Sequence, residues 1–590
     1  LEFAVPLFLD QSSPIRSLQN ALLLRLALLL TIATLISIGS SRLSLAQDEE
    51  DTDEEPAHPV VTINVASVDR IMEKIGFIFG EIERPEVMDL IGTGLARFRD
   101  LKGLDRTKPG GLMIFVSEGL VPLPIPVGFI PIEDIGEFGQ TLSTVGAQWK
   151  TVPGMENRYE LIPPRAPTMF VSVQNGYAFI GQNEESIDRT FASPEEFAAP
   201  LADRYDICVS ANLRKTPKAV RDLILLTIKN SAQASMQRRD EEPEAAYNLR
   251  RAQAEGNLQN VEYILRDGEE LTLGFNIDQS QKHAALELVV KALPNSSFAK
   301  EIAQGIAKPS YFASAVDENV PLSLSLSAIV AKHDRKTWLN AFNLGEQESN
   351  RGLAGLPRDT PVEDIPGQKS TEDLFEALRS TIKEGHLDGF TQFFGDPEKK
   401  FVIIGGVRIM NAPAFGAGLS EILEQASRTS ANMDVELSVA SHGDIVFHRL
   451  TGKDNDSRPL FGDSPALHFG TDNQALWFAF GGDDAMPTLK AAIDRVAAGA
   501  DTGLRRGELT PFQLVVNMTE WIKLQNANEA WPPRVGRMVL AAFEEEGSDV
   551  LRADARLLKN GFRLRIQAER GFLRLLGSII AQRIDGRQAL

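Results

Sequence analysis

His442, Asp444 and His448 form the tightest grouping of metal-ligating side chains in the sequence. Imidazole nitrogens and a carboxylate are donors that zinc accepts, but a zinc site needs three or four protein ligands in fixed geometry. Even spacing would put all three on one face of a strand. However, Ser441-His442-Gly443-Asp444 reads as a turn, which breaks that register. The expectation is turn and strand-surface residues, and no metal. His58, His283, His333, His386 and His468 are scattered. Cys208 is the single cysteine and lies in the apolar run Ile207-Cys208-Val209. It has no partner for an internal disulfide and no histidine in a defined relation to activate it. It reads as a small buried hydrophobe.

Gly481-Gly482-Asp483-Asp484 resembles the start of the diguanylate cyclase signature. That family continues with Glu-Phe or similar, whereas Ala485 and Met486 follow here. Acidic residues at a helix start cap free N–H groups and meet the positive end of the helix dipole, which is the expected role. The chain has no His-Glu-x-x-His, no Gly-x-Ser-x-Gly and no Gly-Lys-Ser/Thr phosphate loop. No catalytic residue, cofactor or metal ligand is therefore assigned.

The elements that would position such residues recur in two halves. Val60–Val65 and Leu322–Ser327 alternate like strands and lead toward helices. Gly111–Val116 and Val127–Ile132 precede a helix at about 133–146. Their expected counterparts are Phe401–Ile409 and a helix at about 416–428. Met169–Ile180 reads as a hairpin around Asn175-Gly176, as Leu467–Phe480 does around Asp472-Asn473. Ile207–Asn212 matches Leu514–Asn517. Leu271–Ile277 with Ala285–Val290 matches Val550–Leu557 with Phe562–Ile566, and a helix follows each pair. The offsets drift, and extra sequence at about 343–398 and Ser231–Gln259 is expected to account for the drift. The expected fold class is α+β. Two related halves, 60–306 and 307–590, would each have antiparallel sheet with helices packed on one face, compatible with ferredoxin-like units.

Ahead of these halves, residues 1–46 read as a secretory signal. Arg16 and Arg25 give a charged lead, Leu26–Ile38 an apolar core, and Ser44-Leu45-Ala46 a small-x-small site, with cleavage between Ala46 and Gln47. The uncharged core is shorter than the ~20 residues of a spanning helix, so no transmembrane span is expected after signal removal. Residues 47–59 are an acidic linker, because like charges repel into an extended chain. The whole chain carries net charge −20, which argues against nucleic acid as a partner. A hydrophobic fraction of 43 % is enough to build real cores.

Leu45-Ala46-Gln47, the acidic spacer and the phrase Gly103-Leu104-Asp105-Arg106-Thr107-Lys108-Pro109-Gly110-Gly111 resemble the large exported proteins of planctomycete-type bacteria. That resemblance implies location and brings no catalytic residues. Two segments look able to meet a surface. Leu120–Ile132 is long and apolar, with a buried hairpin as the expected role. The C-terminal helix carries Arg570, Arg574, Arg583 and Arg587 beside Phe572, Leu573, Leu575, Leu576, Ile579 and Ile580. It would pack on its own sheet or make peripheral contact with an anionic membrane.

The expected protein is exported to the periplasm or cell envelope of a bacterium, with a non-enzymatic binding or structural role. Its partners would be other envelope proteins or an apolar ligand. The alternatives are a carrier of an apolar ligand such as a lipid, and a hydrolase with an unrecognised site.

Overall fold

The computed structural model describes residues 58–588, apart from 118–122, 239–243, 306–309, 318, 331, 358–359, 362–364, 397–399, 430–432, 453–460, 463, 501–509, 527–532 and 544–548. The signal, the Ala46/Gln47 cleavage point and acidic residues 48–55 lie outside the described residues. The chain divides into two compact units. The first takes residues up to Asn230, Val261–Leu293 and Glu569 onward. The second takes Ser231–Asn260 and Pro294–Ala568.

The first unit contains β1 (Val61–Val65), α1 (Val68–Glu81), α2 (Glu86–Arg97), β2 (Gly110–Val116), β3 (Pro124–Pro131) and α3 (Ile135–Ser143). Next come β4 (Gln148–Thr151), β5 (Arg158–Ile162), β6 (Met169–Gln174), β7 (Tyr177–Gly181), one-turn helices between 184 and 202, and β8 (Ile207–Asn212). Helix α4 (Lys218–Ser235) follows, α5 (Glu244–Asp267) belongs to the second unit as far as Asn260, and β9 (Gly268–Asp278) and β10 (His283–Ala292) complete the first. The hydrogen-bonded order is β4-β5-β6-β7-β3-β2-β1-β8-β9-β10, antiparallel throughout.

The second unit begins with α6 (Ser297–Gly305), β11 (Leu322–Ile329), α7 (Lys332–Leu353), α8 (Lys369–Glu384), β12 (His386–Asp396) and β13 (Lys400–Arg408). It continues with α9 (Ala412–Thr429), β14 (Met433–His442), β15 (Ile445–Gly452), β16 (Ala466–Thr471), β17 (Ala475–Gly481) and α10 (Ala485–Ala500). It closes with β18 (Phe512–Asn517), α11 (Met518–Asn526), α12 (Pro533–Ala542), β19 (Val550–Leu558) and β20 (Gly561–Ala568). Its order is β14-β15-β16-β17-β13-β12-β11-β18-β19-β20, again antiparallel throughout. Adding ten to each strand number of the first order gives the second.

Local chemistry explains several of these elements. Ser67 caps α1 by accepting from the Arg70 N–H at 3.1 Å, and Asp134 caps α3 by accepting from the Glu137 N–H at 2.9 Å. Asn175 and Gly176 both take positive φ, 52° and 75°, which is what a two-residue hairpin turn between β6 and β7 requires. Val127 and Phe129 of β3 are fully buried beside Met113, Phe115, Tyr177 and Phe179, so this part of the apolar run Leu120–Ile132 is core.

Three expectations need correction. First, helices pack on both faces of the sheet rather than one. In the second unit, α10 packs Leu489 and Val496 against Trp477, while α9 packs Phe415 and Leu419 near Leu476. Leu476 and Trp477 are neighbours on β17 and so point to opposite faces. The first unit repeats this, with Phe197 and Ala198 beside Phe179 and Leu142 of α3 beside Ala178.

Second, the order departs from a ferredoxin-like unit, in which one strand separates the two strands of a helical crossover. Here three strands separate β3 from β4, and three separate β7 from β8.

Third, 343–398 is not simply extra sequence. It contains α8 and strand β12. The expected counterpart of the first half's second element, Phe401–Ile409, is β13 and stands third in its unit. The last helix, α13 (Arg570–Gln588), lies in the first unit, where its Leu573 and Ala581 are buried with Ile78 and Phe79 of α1.

Candidate functional site

Among the described residues, a dense buried polar cluster lies on the central strands of the second unit. β12 turns His386, Asp388 and Gln392 to one face, since residues two apart share a side. All three are at most 2 % exposed. Their strand neighbours on β11 include Ser323 and Ser327, and Arg408 stands on β13.

Ser327 Oγ lies 2.8 Å from His386 Nε2, the separation of a nucleophile and its base. The other ring nitrogen decides what the pair can do. Arg408 donates to His386 Nδ1 at 3.2 Å, so Nδ1 presents its lone pair and Nε2 carries the hydrogen. A serine base needs the reverse, a lone pair toward Oγ and a carboxylate on Nδ1. In that tautomer the imidazole donates to Ser327 rather than accepting its proton.

Asp388 is 0 % exposed. It accepts from Ser310 Oγ and from the Tyr311 N–H, each at 2.6 Å. Burial pushes its carboxyl above the usual aspartate range, against the pull of these bonds and of Arg408. Gln392 donates to the Ala315 carbonyl at 2.5 Å and to Ser323 Oγ at 3.2 Å, and accepts from Arg495 at 3.3 Å. Arg495 also pairs with Asp317 at 2.7 Å. Asp388 and Gln392 thus fasten residues 310–315 to the sheet.

The candidates taken from the sequence do not converge. His442 bonds Asp494 at 2.7 Å, and Asp444 is exposed in the turn. His448 Nδ1 accepts the Ser438 N–H at 3.2 Å, its ring lies beside Phe469, and burial holds its pKa down. Among the described residues no group of three or more metal-binding side chains is arranged to hold an ion. Gly481 ends β17 at φ 150°, and Asp483 and Asp484 are exposed ahead of α10. Cys208 is 2 % exposed, receives Asn64 Nδ2 at 3.6 Å, and burial pushes its thiol up.

The phrase 103–111 is a turn held by a bond of its own and by ion pairs to residues outside it. Asp105 accepts from Thr107 Oγ1 at 2.6 Å, Lys108 pairs with Glu195 at 2.9 Å and Arg106 with Asp69 at 2.7 Å. Nearby, burial pushes the Tyr177 hydroxyl up to about 12. The β12 cluster went unread because its strand, His-Leu-Asp-Gly-Phe-Thr-Gln, interleaves Gly and charge and gives little strand signal.

No family model matches the chain, and no curated protein or solved structure is similar to it.

Proposed function

We propose that this is an exported envelope protein with a non-enzymatic binding or structural role. The observation that carries this reading is the fate of the buried polar groups. In the Ser327–His386 pair the Arg408 bond favours the tautomer that donates to the serine, and the buried carboxylate beside it is spent on its own chain.

We also infer that the chain arose by doubling of a ten-strand unit. The common strand order of the two units supports this, as do hairpin turns at equivalent places. A doubled α+β framework with divergent connections suits an interaction scaffold. Location rests on the leader ending at Ala46 and on the resemblance to planctomycete-type exported proteins. Peripheral contact with an anionic membrane through α13 is favoured by Leu576 and Ile579, which stay 38 % and 36 % exposed on a helix rich in arginine. No helix among the described residues is long and apolar enough to cross a membrane.

Native mass spectrometry of the protein isolated from its host tests this reading. The expected species begins at Gln47 and carries neither metal nor lipid. Stoichiometric lipid would favour the carrier, and stoichiometric metal or a retained leader would contradict the proposal.

A further inference from the structure

The last two strands of each unit form a hairpin, and the helix that follows each hairpin packs in the other unit. β9–β10 leads into α6, which belongs to the second unit, and β19–β20 leads into α13, which belongs to the first. The seats match. In the first unit, buried Leu573 of α13 packs with Ile78 of α1, with Phe275 and Ile277 of β9 and with Ala284 of β10. In the second, α6 lies against β19 and β20, buries Ala299 and Ile302, and sets Phe298 edge-on to Phe562 with ring centroids 6.3 Å apart. Ala284 and Phe562 are each the second residue of their strand.

The contacts of α13 with α1 are close and partly charged. Gly577 meets Ile78 so closely that a Cβ would stand 3.0 Å from that side chain, and Ala581 is buried beside Phe79 and Val87. Arg570 pairs with the nearly buried carboxylate of Glu81, and Asp585 takes both ends of the Arg84 guanidinium at 3.2 and 3.3 Å. Without α13, Glu81 would lose that arginine and rely on Lys282 at 3.7 Å.

We propose that α13 is a clasp. The two units are completed crosswise, each by the helix that follows the other's last hairpin, so the native stability of α1 and β9–β10 depends on a helix made only after the whole second unit. Burial of Leu573, Ile78 and Ile277 is mutual, so lifting the helix returns apolar surface on both sides to water. A domain encoded in one stretch folds as a unit once that stretch is made. The first unit cannot, since its strands are complete at Ala292 and its cover begins at Arg570. The second unit has no such delay, because α6 precedes the strands it covers.

Hydrogen exchange of the full chain tests the clasp, with Leu573→Ala in α13 and Ile302→Ala in α6 as opposed probes. Leu573→Ala should speed exchange of α1 and β9 about tenfold or more and leave β18 and β19 within about twofold of wild type, although α13 is joined to β20. Ile302→Ala should loosen β19 and leave α1 and β9 within about twofold, although α6 is joined to β10. Loosening that follows the chain instead of these crossed seats, equal loosening of both units, or unchanged exchange of α1 in Leu573→Ala overturns the proposal. Should Leu573→Ala fail to fold, Ile580→Val makes a smaller cut in the same seat. It should speed α1 several-fold and spare β19, and the same three results would overturn the proposal.

Discussion

Asp206 is 1 % exposed, and one arginine carries much of its compensation. Arg70 Nε meets Asp206 Oδ1 at 2.7 Å, Nη1 meets the Ala202 carbonyl at 2.5 Å and Nη2 meets Asn276 Oδ1 at 3.2 Å. The other carboxylate oxygen accepts the Ile277 N–H at 2.6 Å. Removing Arg70 leaves a buried charge behind, so Arg70→Ala should cost about 3 kcal/mol in denaturant unfolding. Lysine cannot reproduce the three-way fork, so Arg70→Lys should recover less than half of that loss. Equal stability of Arg70→Ala and wild type would show that Asp206 needs no such partner. Cys208, buried and with its thiol pushed up, should resist a thiol reagent in the native protein and react only after unfolding. Its burial was legible from its apolar neighbours. The Arg70–Asp206 pair was not, because 136 residues separate the partners and no periodicity marks a contact of that kind.

Among the elements, the hairpins were the easiest to read. Asn175-Gly176 announces a turn whose backbone few other residues adopt comfortably, and both residues take positive φ. Strands β4, β5, β14 and β15 went unread. β4 has four residues, and β14 carries a bulge between Glu436 and Ala440 that breaks its alternation. Its last residue and the turn after it attracted attention as a metal candidate instead. The close approach of buried Phe312 to Gly406, where a Cβ would stand 2.7 Å from the ring, makes a sharp packing test. Gly406→Ala should overpack the site and cost about 1–3 kcal/mol. Phe312→Ala should cost about 3–5 kcal/mol through the cavity it leaves. The double variant should lose less than the sum, because the added methyl then has space. Strict additivity in denaturant midpoints would show that the two residues do not share a site.

At the scale of the whole molecule, composition and alternation made the α+β class legible, whereas the C-terminal helix follows the second unit's last hairpin in sequence and packs in the first unit. Its seat on α1 is a tertiary choice, made by Leu573, Gly577 and Ala581 against Ile78 and Phe79, and no local signal encodes it. A fragment of residues 58–306 lacks that helix and should expose the apolar face around Ile78 and Ile277. It should bind a hydrophobic dye, and a peptide of residues 569–588 added in trans should suppress that binding. No effect of the peptide would separate α13 from the stability of the first unit. On the proposed function, the polar centre is architecture rather than catalytic machinery. Treating the full chain with a fluorophosphonate and reading its intact mass tests that most directly. The expected result is an unchanged mass, because the Arg408 bond favours the His386 tautomer that donates to Ser327, and a single adduct mapped to Ser327 would contradict it.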